Sequence, residues 1–355
     1  MEQSNSSLQM LDLLNYPCIA VSDGQIIHIN EPAKDRMFRV GMDIHELLFT
    51  GEEEYRSFTD GCLYLRLCVA CSIYDAAVIC VDGMHFFLME HSPAHTELQA
   101  IALASQQLRM PLSDIIAASD QLLPSEMLNG NEAAKEQISQ INRSIHQLLR
   151  LIGNMSDAAR YLDENNAHQV SHDLSAIIAE VMEKSATLLK EAGYNLNFTG
   201  LNQPVYALAD NERLERAVYN LVSNAVKFSS KCATITASLT QKRDFLYFTI
   251  SNPGDGVSPE VRGNMFSRFL RAPALNDYRT GIGLGMVIVH AAASAHGGTV
   301  LVENPIEGGT RITMTLKLRE NPQAIVRSNL FTFDYAGGHD HGLLELSDIL
   351  PHTSY

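Results

Sequence analysis

Apolar and polar positions alternate along residues 1–92 in short runs that are separated by turn residues. CIAV and QIIHIN flank the turn Ser22-Asp23-Gly24, and the strand-like runs LYLRLCVACSI, AAVICV and MHFFLME follow. Alternation bounded by Gly, Asp and Ser is typical of β-strands. The pattern predicts an α+β domain with a hairpin, helices and three antiparallel strands.

Residues 93–165 carry a different pattern, in which apolar side chains return at alternating steps of three and four. The positions run from Ile101 to Leu122 in one helix and from Ile138 to Leu162 in a second. A period of 3.5 residues packs helices into a left-handed bundle. Because two such helices bury little surface alone, we expect a homodimer through residues 95–163 that forms a four-helix bundle. The alternative is a monomeric hairpin lying on the neighbouring domains.

Residues 166–320 alternate between helix and strand patterns. LSAIIAEVMEKSATLLKEAG, GMVIVHAAASAHGG and a segment that begins after a capping Asp210 are helical, whereas NLNFTG, PVYAL, ATITASLT, FLYFTISN, VLVEN and TRITMTLKL are strand-like. This order predicts helices packed on a sheet. Residues 321–355 form a tail with a strand-like piece and a short amphipathic helix.

Composition narrows the function classes. The 355 residues suffice for two or three domains, and 41 acidic against 26 basic residues give a net charge of −15, which disfavours direct nucleic-acid binding. No apolar run is long enough to span a bilayer, and MEQSNSSLQMLDLL lacks the features of a signal peptide. Six cysteines fit a reducing compartment. We therefore expect a cytoplasmic protein.

Candidate chemistry concentrates in residues 166–320. Asn220, Asn224 and Lys227 follow one another at steps of four and three and therefore share a helix face. Amide oxygens are ligands for Mg²⁺, and an ammonium group binds phosphates. NPGDGVS and TGIGLGM supply glycines where backbone N–H groups can approach an anion, and TGIGLGM directly precedes a helix. Together these motifs predict a nucleotide site.

The set NLVSNAVKFS, ISNPGDGVSPEVRGNMFSRFLR and TGIGLGMVIVHAAASAHGG resembles the N, G1, F and G2 boxes of sensor histidine kinases, whose ATP-binding domain has the Bergerat fold. PCIAVSDGQIIHINEPA and GMDIHELL resemble a PAS sensory domain. The resemblance covers roughly residues 10–320. It implies an α+β multidomain chain with a PAS-like α/β sensor at 1–92, a dimerisation and phosphotransfer hairpin at 93–165, an α/β-sandwich ATP-binding domain at 166–320 and a tail at 321–355.

The resemblance also implies that ATP and Mg²⁺ bind, with Asn224 on the metal and Asn220 and Lys227 at the phosphates. The family's adenine-binding Asp is replaced by Asn252, whose amide oxygen accepts a hydrogen bond without a charge, so weaker adenine binding is expected. The remaining positions carried over to the nucleotide are Gly254, Gly256, Gly281, Gly283, Leu284, Gly285 and Thr310.

Residues 105–112 read SQQLRMPL where the family has S-H-E-L-R-T-P-L. Gln106 stands at the phosphoacceptor histidine, Gln107 at the general-base glutamate and Met110 at a threonine. An amide nitrogen is no nucleophile because its lone pair is delocalised, and an amide is no general base. We expect a pseudokinase of two-component signal transduction that binds ATP, has lost standard autophosphorylation, and works as a homodimer with a response regulator.

Three alternatives remain. In the first, the chain is an active protein-histidine kinase that phosphorylates a non-standard histidine such as His146, or a partner's histidine. In the second, it is a response-regulator phosphatase in which Gln106 orients a water toward a phospho-aspartate. In the third, it is an ATP-driven clamp like the chaperone and mismatch-repair relatives of the fold. The third is disfavoured because those relatives have a Glu at the Asn220 position.

Overall fold

The computed structural model describes residues 8, 11–14, 16–89, 104–105, 107–108, 111–112, 114–116, 132–160, 170–230, 232–257, 284–319 and 338–355. These residues form a mixed α/β structure built around one large sheet. No helix in the described part of the chain is long and apolar enough to cross a membrane.

The first region contains a five-stranded antiparallel sheet with short helices on it. Its elements are β1 (Cys18–Ser22), β2 (Gln25–Ile29), α1 (Glu31–Asp35), α2 (Ile44–Leu47), α3 (Glu52–Ser57), β3 (Cys62–Val69), β4 (Ser72–Val81) and β5 (Met84–Met89). The strand order is β2-β1-β5-β4-β3. Phe38, Ile44 and Phe87 belong to the buried core between helices and sheet. The predicted hairpin, helices and antiparallel strands are therefore present.

The single strand predicted over LYLRLCVACSI is wrong, because the chain reverses within it. β3 ends at Val69 and pairs with β4, and the turn between them consists of Ala70 and Cys71. Both turn residues are left-handed, with φ of 48° and 66°. Two-residue hairpin turns of this kind usually contain Asn or Gly. Since neither residue occurs here, the apolar alternation concealed the turn.

The second predicted bundle helix is present as α4 (Glu132–Arg160). The described residues between 104 and 116 are also helical, and Leu112 lies in one buried cluster with Ile145 and Ile152. The two helical segments therefore contact each other as the periodic pattern predicts. The rest of the first predicted helix lies outside the described residues.

The last large region packs helices on a mixed sheet. Its elements are β6 (Val170–Asp173), α5 (Leu174–Glu191), β7 (Asn195–Thr199), β8 (Tyr206–Ala209), α6 (Asn211–Lys227), β9 (Thr234–Lys242), β10 (Phe245–Asn252), α7 (Gly285–Ala295), β11 (Val300–Glu303) and β12 (Thr310–Lys317). Side chains of α5, α6 and α7 share one apolar core with the strands. β6, which the patterns did not predict, pairs with β8 in a small separate sheet.

Helix α6 begins as the sequence predicted. The Asp210 side chain accepts a hydrogen bond from the backbone N–H of Arg213, which satisfies a donor that the first helical turn leaves unpaired. Leu214, Val218 and Leu221 are fully buried on the core side of the helix. Capping and burial together fix the position of the polar side chains farther along α6.

The two sheets are continuous. β3 pairs antiparallel with β11, with Tyr64 opposite Val300 and Cys62 opposite Val302. The result is one ten-stranded sheet in the order β2-β1-β5-β4-β3-β11-β12-β10-β9-β7. The separate sensor and ATP-binding domains predicted from the sequence therefore share backbone hydrogen bonds across their boundary.

Residues 338–355, which we call the docked segment, lie against the helices. The segment contains α8 (His341–Glu345) and a 3₁₀ turn (His352–Ser354), and it contacts α4, α5 and α6. Leu344, Leu346 and Leu350 are buried. The short helix predicted for the tail is thus present, whereas the strand-like piece lies outside the described residues.

Candidate functional site

Asn220 lies deep in the interface between α6 and its neighbours. It is 2% exposed. Its Nδ2 donates to the Arg216 carbonyl at 2.8 Å, and its Oδ1 accepts from Nη2 of Arg150 at 3.2 Å. Arg150 belongs to α4, so the bundle helix reaches one of the residues predicted to orient phosphates.

Asn224 lies one turn farther along α6 and is half-buried. Its Nδ2 donates to Sδ of Met286 at 2.9 Å, at the start of α7. Because the amide nitrogen is used in this way, Oδ1 is the atom left on the opposite side of the group. An amide oxygen is the type of ligand that Mg²⁺ takes in proteins, so the donor fits the predicted metal role.

Helix α7 approaches α6 closely at its first residue. A Cβ on Gly285 would lie 2.7 Å from Oδ1 of Asn220, which leaves no room for a side chain. Leu284 precedes the helix and provides no side-chain cap. The first N–H groups of a helix can bind an anion, and those of α7 lie beside the α6 residues. Gly281 and Gly283, the other predicted phosphate contacts, lie outside the described residues.

Asn252 and Thr310 lie opposite each other on β10 and β12. Nδ2 of Asn252 donates to the carbonyls of Phe228 at 3.2 Å and Pro253 at 3.4 Å. Since carbonyl oxygens only accept, the amide must present its nitrogen to them, and Oδ1 faces away. An adenine amino group can donate to that oxygen. Phe228 is the residue that follows Lys227 at the end of α6, so this contact joins the two halves of the site.

Gly254 and Gly256 shape the loop after β10. A Cβ on Gly254 would lie 2.7 Å from the Phe228 carbonyl oxygen. Gly256 has a φ of 76°, and a Cβ there would lie 2.9 Å from the Asn304 side chain. Both glycines are therefore required for the close approach of this loop to its neighbours. The sequence identified them, although the contacts they permit are tertiary.

The Lys227 side chain is paired inside the molecule. Its Nζ lies 2.6 Å from Oδ2 of Asp348 in the docked segment. Burial lowers the pKa of the Lys227 ammonium, and Arg150 adds to this effect, while Asp348 partly opposes it. Sequence reasoning missed Asp348 and Arg150, because nothing in the local pattern of either segment indicates contact with Lys227.

The predicted phosphotransfer positions are only partly described. Gln107 is helical and exposed, whereas Gln106 lies outside the described residues. His146, the candidate substitute acceptor, is half-buried, and its ring packs on His339 and Tyr355 of the docked segment. Burial lowers the pKa of His146. The docked segment therefore partly covers the His146 ring.

The residues of the candidate site fall in a region that matches a known family of ATPases. Residues 209–320 match the family model described as histidine kinase-, DNA gyrase B- and HSP90-like ATPase. The match includes Asn220, Asn224, Lys227, Asn252 and Thr310. Over this region, which we call the ATPase-type domain, the chain is similar to ATPases of the histidine kinase, DNA gyrase B and HSP90 type.

Curated relatives are similar to this chain over part of its length. The chain is 29% identical over 209 residues to the sensor protein KdpD of Clostridium acetobutylicum, covering 58% of this chain and 23% of that protein. It is 28% identical over 213 residues to the signal transduction histidine-protein kinase/phosphatase MprB of Mycolicibacterium vanbaalenii, covering 58% of this chain and 43% of the relative. The chain therefore spans less than half of each relative.

A solved structure shares the fold. The full-length ShkA structure in complex with AMPPNP superposes with a TM-score of 0.50 at 22% identity, over 63% of this chain and 46% of ShkA. Over about three-fifths of its length, the chain is similar to sensor histidine kinases.

Proposed function

We propose that this chain is a two-component signalling protein of the sensor histidine kinase type that binds Mg·ATP and has lost standard histidine autophosphorylation. The observation that carries the proposal is the convergence of the Asn220, Asn224 and Lys227 face of α6 with the start of α7. Their amide, ammonium and backbone N–H groups are the chemistry that a metal-bound triphosphate requires.

Each residue has a distinct task in this proposal. Oδ1 of Asn224 ligates the metal, which neutralises charge on the phosphates when it is bound. Lys227 and the first N–H groups of α7 bind phosphate oxygens. Oδ1 of Asn252 accepts a hydrogen bond from the adenine amino group, and Thr310 lies beside it. The fold is shared with ShkA, which was solved in complex with AMPPNP.

Calorimetric titration with Mg·ATP tests the nucleotide assignment. The wild-type chain should bind, and Asn224→Ala should weaken binding about tenfold, which corresponds to about 1.4 kcal/mol. Asn197→Ala is the matched control, because Asn197 is an exposed asparagine on β7. Equal affinities of Asn224→Ala and wild type would refute the assigned pocket.

The pseudokinase proposal depends on Gln106 and Gln107. Neither amide supplies the nucleophile or the base that histidine phosphorylation requires. Incubation with γ-labelled ATP should leave the wild-type chain unlabelled, alone and with an intact kinase. The double change Gln106→His and Gln107→Glu should restore acid-labile labelling. Labelling of the wild-type chain would instead support an active kinase, although His146 is a poor acceptor beneath His339 and Tyr355.

We also propose a homodimer through residues 95–163. The apolar seam is divided: Ile145 and Ile152 are buried within the chain, whereas Ile141 and Leu148 are exposed, and Leu108 and Ile115 are exposed on the other helical segment. A second copy of the same seam covers such a column in a four-helix bundle. The exposed apolar column thus supports dimerisation rather than an isolated hairpin.

Leu148→Glu tests the dimer without disturbing the single chain, because Leu148 is exposed in it. Sedimentation at micromolar concentration should show a dimer for wild type and a monomer for the variant, since a charge in the bundle core is costly. Leu13→Glu replaces another exposed leucine and should remain dimeric. A monomeric wild-type chain would refute the proposal.

A response regulator is the proposed partner of this dimer. The related MprB is named as a kinase and phosphatase, and both activities act on phosphoryl groups. Phospho-aspartate lifetime on a cognate regulator, with wild type and with Gln106→Ala, tests whether the chain removes phosphate. If wild type shortens the lifetime and Gln106→Ala does not, the chain acts as a phosphatase. If neither protein shortens it, the chain is a pseudokinase that transfers no phosphate.

A further inference from the structure

The docked segment covers the cationic end of the α6 face. Leu346 and Leu350 belong to the same apolar core as α5, α6 and α7. A Cβ on Gly342 would lie 2.8 Å from the Leu188 side chain of α5, which shows how closely the segment packs. The docked segment therefore packs closely on the ATPase-type domain through buried apolar side chains.

Two carboxylates of the segment enter a buried network of charges. Oε1 of Glu345 lies 2.8 Å from Nε of Arg216, and Glu345 is fully buried. Oδ2 of Asp348 lies 2.6 Å from Nζ of Lys227 and 2.7 Å from Nη1 of Arg150. The two acids differ in access, because the Asp348 side chain is 24% exposed. Glu345 anchors the segment, whereas Asp348 lies at the edge of the site.

Arg150 connects Asp348 to the predicted phosphate site. The same guanidinium that binds Asp348 through Nη1 donates through Nη2 to Oδ1 of Asn220. Asp348 thus contacts Lys227 directly and lies one side chain away from Asn220. A carboxylate and a phosphate bind ammonium and guanidinium groups through the same charge-assisted hydrogen bonds. Asp348 therefore occupies the position of an anionic ligand.

With the segment in place, each of three cations in the network faces at least one carboxylate. The ion pairs join the cations of Arg150, Arg216 and Lys227 to the carboxylates of Asp157, Glu345 and Asp348. Triphosphate added to this arrangement brings further negative charge against Asp348 in a poorly solvated place, where repulsion is strong. The docked carboxylate and the phosphates cannot share Lys227 without that cost.

We propose that the docked segment is an intramolecular competitor of nucleotide, in which Asp348 takes the place of a phosphate group on Lys227 and Arg150. Nucleotide phosphates bind these cations after Asp348 withdraws. This inference rests on the proposed ATP site and adds a regulated state to it. The apparent affinity for ATP is then reduced by the fraction of molecules in which the segment is docked.

Titration of the full chain with Mg·ATP tests the competition. Asp348→Asn keeps the side-chain shape and removes the charge, so it should bind Mg·ATP about tenfold more tightly than wild type. Asp340→Asn is the matched control: it removes one charge from the same segment, where Asp340 pairs with Lys184 and caps α8. Its affinity should stay close to that of wild type, because asparagine also caps helices and the solvent-exposed pair with Lys184 contributes little to docking.

The outcomes separate this inference from the proposed function. Binding of equal strength by wild type and Asp348→Asn overturns the competition and leaves the ATP site intact. No binding by any of the three chains overturns both. Adenosine, which lacks phosphates, should bind wild type and Asp348→Asn equally. If Asp348→Asn tightens adenosine as much as ATP, charge competition at Lys227 is refuted.

Hydrogen exchange on the unaltered chain gives a second test. Backbone N–H groups of Leu344 and Leu346 are bonded within the segment, to the carbonyls of Asp340 and Gly342. Saturating Mg·ATP should accelerate their exchange, because displaced residues lose this protection. Adenosine should leave it unchanged. Slower or unchanged exchange with Mg·ATP would overturn the competition.

Discussion

Two of the contacts between the ATPase-type domain and other described parts of the chain differ in their chemistry. At the β3–β11 junction the chain is joined by a backbone ladder between apolar residues, with Cys62, Val300 and Val302 fully buried. At the docked segment the burial of Leu346 and Leu350 is combined with ion pairs of Asp348 and Glu345.

This difference has a physical consequence. Backbone hydrogen bonds among buried apolar groups do not depend on pH or salt in the physiological range. Ion pairs at the edge of a site are weakened by salt and by competing ions. The junction is therefore suited to hold two sheets in permanent register, and the segment is suited to be released.

The largest effect should come from the buried anchor of the segment. Glu345→Ala removes a carboxylate that contacts Arg216 and Arg150, and loss of one partner from a buried pair costs about 4 kcal/mol in the free energy of unfolding. Urea denaturation measures it. Glu132→Ala removes an exposed partner of Lys135 and should cause no measurable change. Equal effects of the two changes would contradict the assigned role of Glu345.

The β3–β11 junction should be sensitive to a substitution at Gly61. This residue has a φ of 101°, and a Cβ there would lie 2.4 Å from the backbone oxygen of Val302. Gly61→Ala should therefore lower the free energy of unfolding by about 3 kcal/mol, from steric displacement of β11 as well as from the backbone conformation. Gly83→Ala is the control, because Gly83 has a φ of 78° but no atom within 4 Å of a Cβ. It should cost about 1 kcal/mol.

The two contacts should respond differently to the salt concentration. Raising NaCl from about 50 mM to about 500 mM shortens the screening length severalfold and favours the released, solvated carboxylates. Exchange of the Leu346 amide should accelerate severalfold, whereas amides of the β3–β11 pairing should be unaffected. A uniform response across both contacts would show that the segment does not open separately from the sheet.

The smallest effect should be a pH dependence through His146, which lies between α4 and the docked segment. Burial lowers the pKa of His146, and His339 adds to this, while the Asn142 carbonyl and Asp340 oppose it. The docked state therefore favours the neutral ring. Docking is complete above the ordinary histidine value of about 6.5 and weakens as the pH falls below it.

Asp348 does not titrate in this window. Burial alone would raise the pKa of its carboxyl, but Arg150 and Lys227 outweigh burial, and the pKa lies below its usual value. Lowering the pH from about 7.5 to about 5.5 should roughly halve the protection factor of the Leu346 amide, which compares its exchange with the intrinsic rate at the same pH, and His146→Gln should remove most of that change. An identical pH response in the variant would assign the titration to another group.

Local signals in the sequence predicted much of the site. The Asp210 cap, the apolar spacing of α6 and the steps of four and three between Asn220, Asn224 and Lys227 act within one helix, and a helix determines its own faces. The strands on either side followed from alternation in the same way. Gln106 and Gln107 were apparent only against the family pattern.

Other features depended on residues far apart in the chain. The turn at Ala70 and Cys71 contains no Gly or Asn, so alternation alone extended the first predicted strand through the turn between β3 and β4. Two contacts join segments that are far apart in the sequence. They are the pairing of β3 with β11 and the contact of Asp348 with Lys227. Their local sequences permit many partners.

The sequence by itself determined which helices and strands form and which polar side chains share a face, because periodicity and capping act over a few residues. The tertiary structure decided which carboxylate pairs with Lys227 and which strand pairs with the free edge of β11. Those choices depend on burial and charge balance summed over the folded chain, where Arg150, Arg216 and Lys227 face Asp157, Glu345 and Asp348.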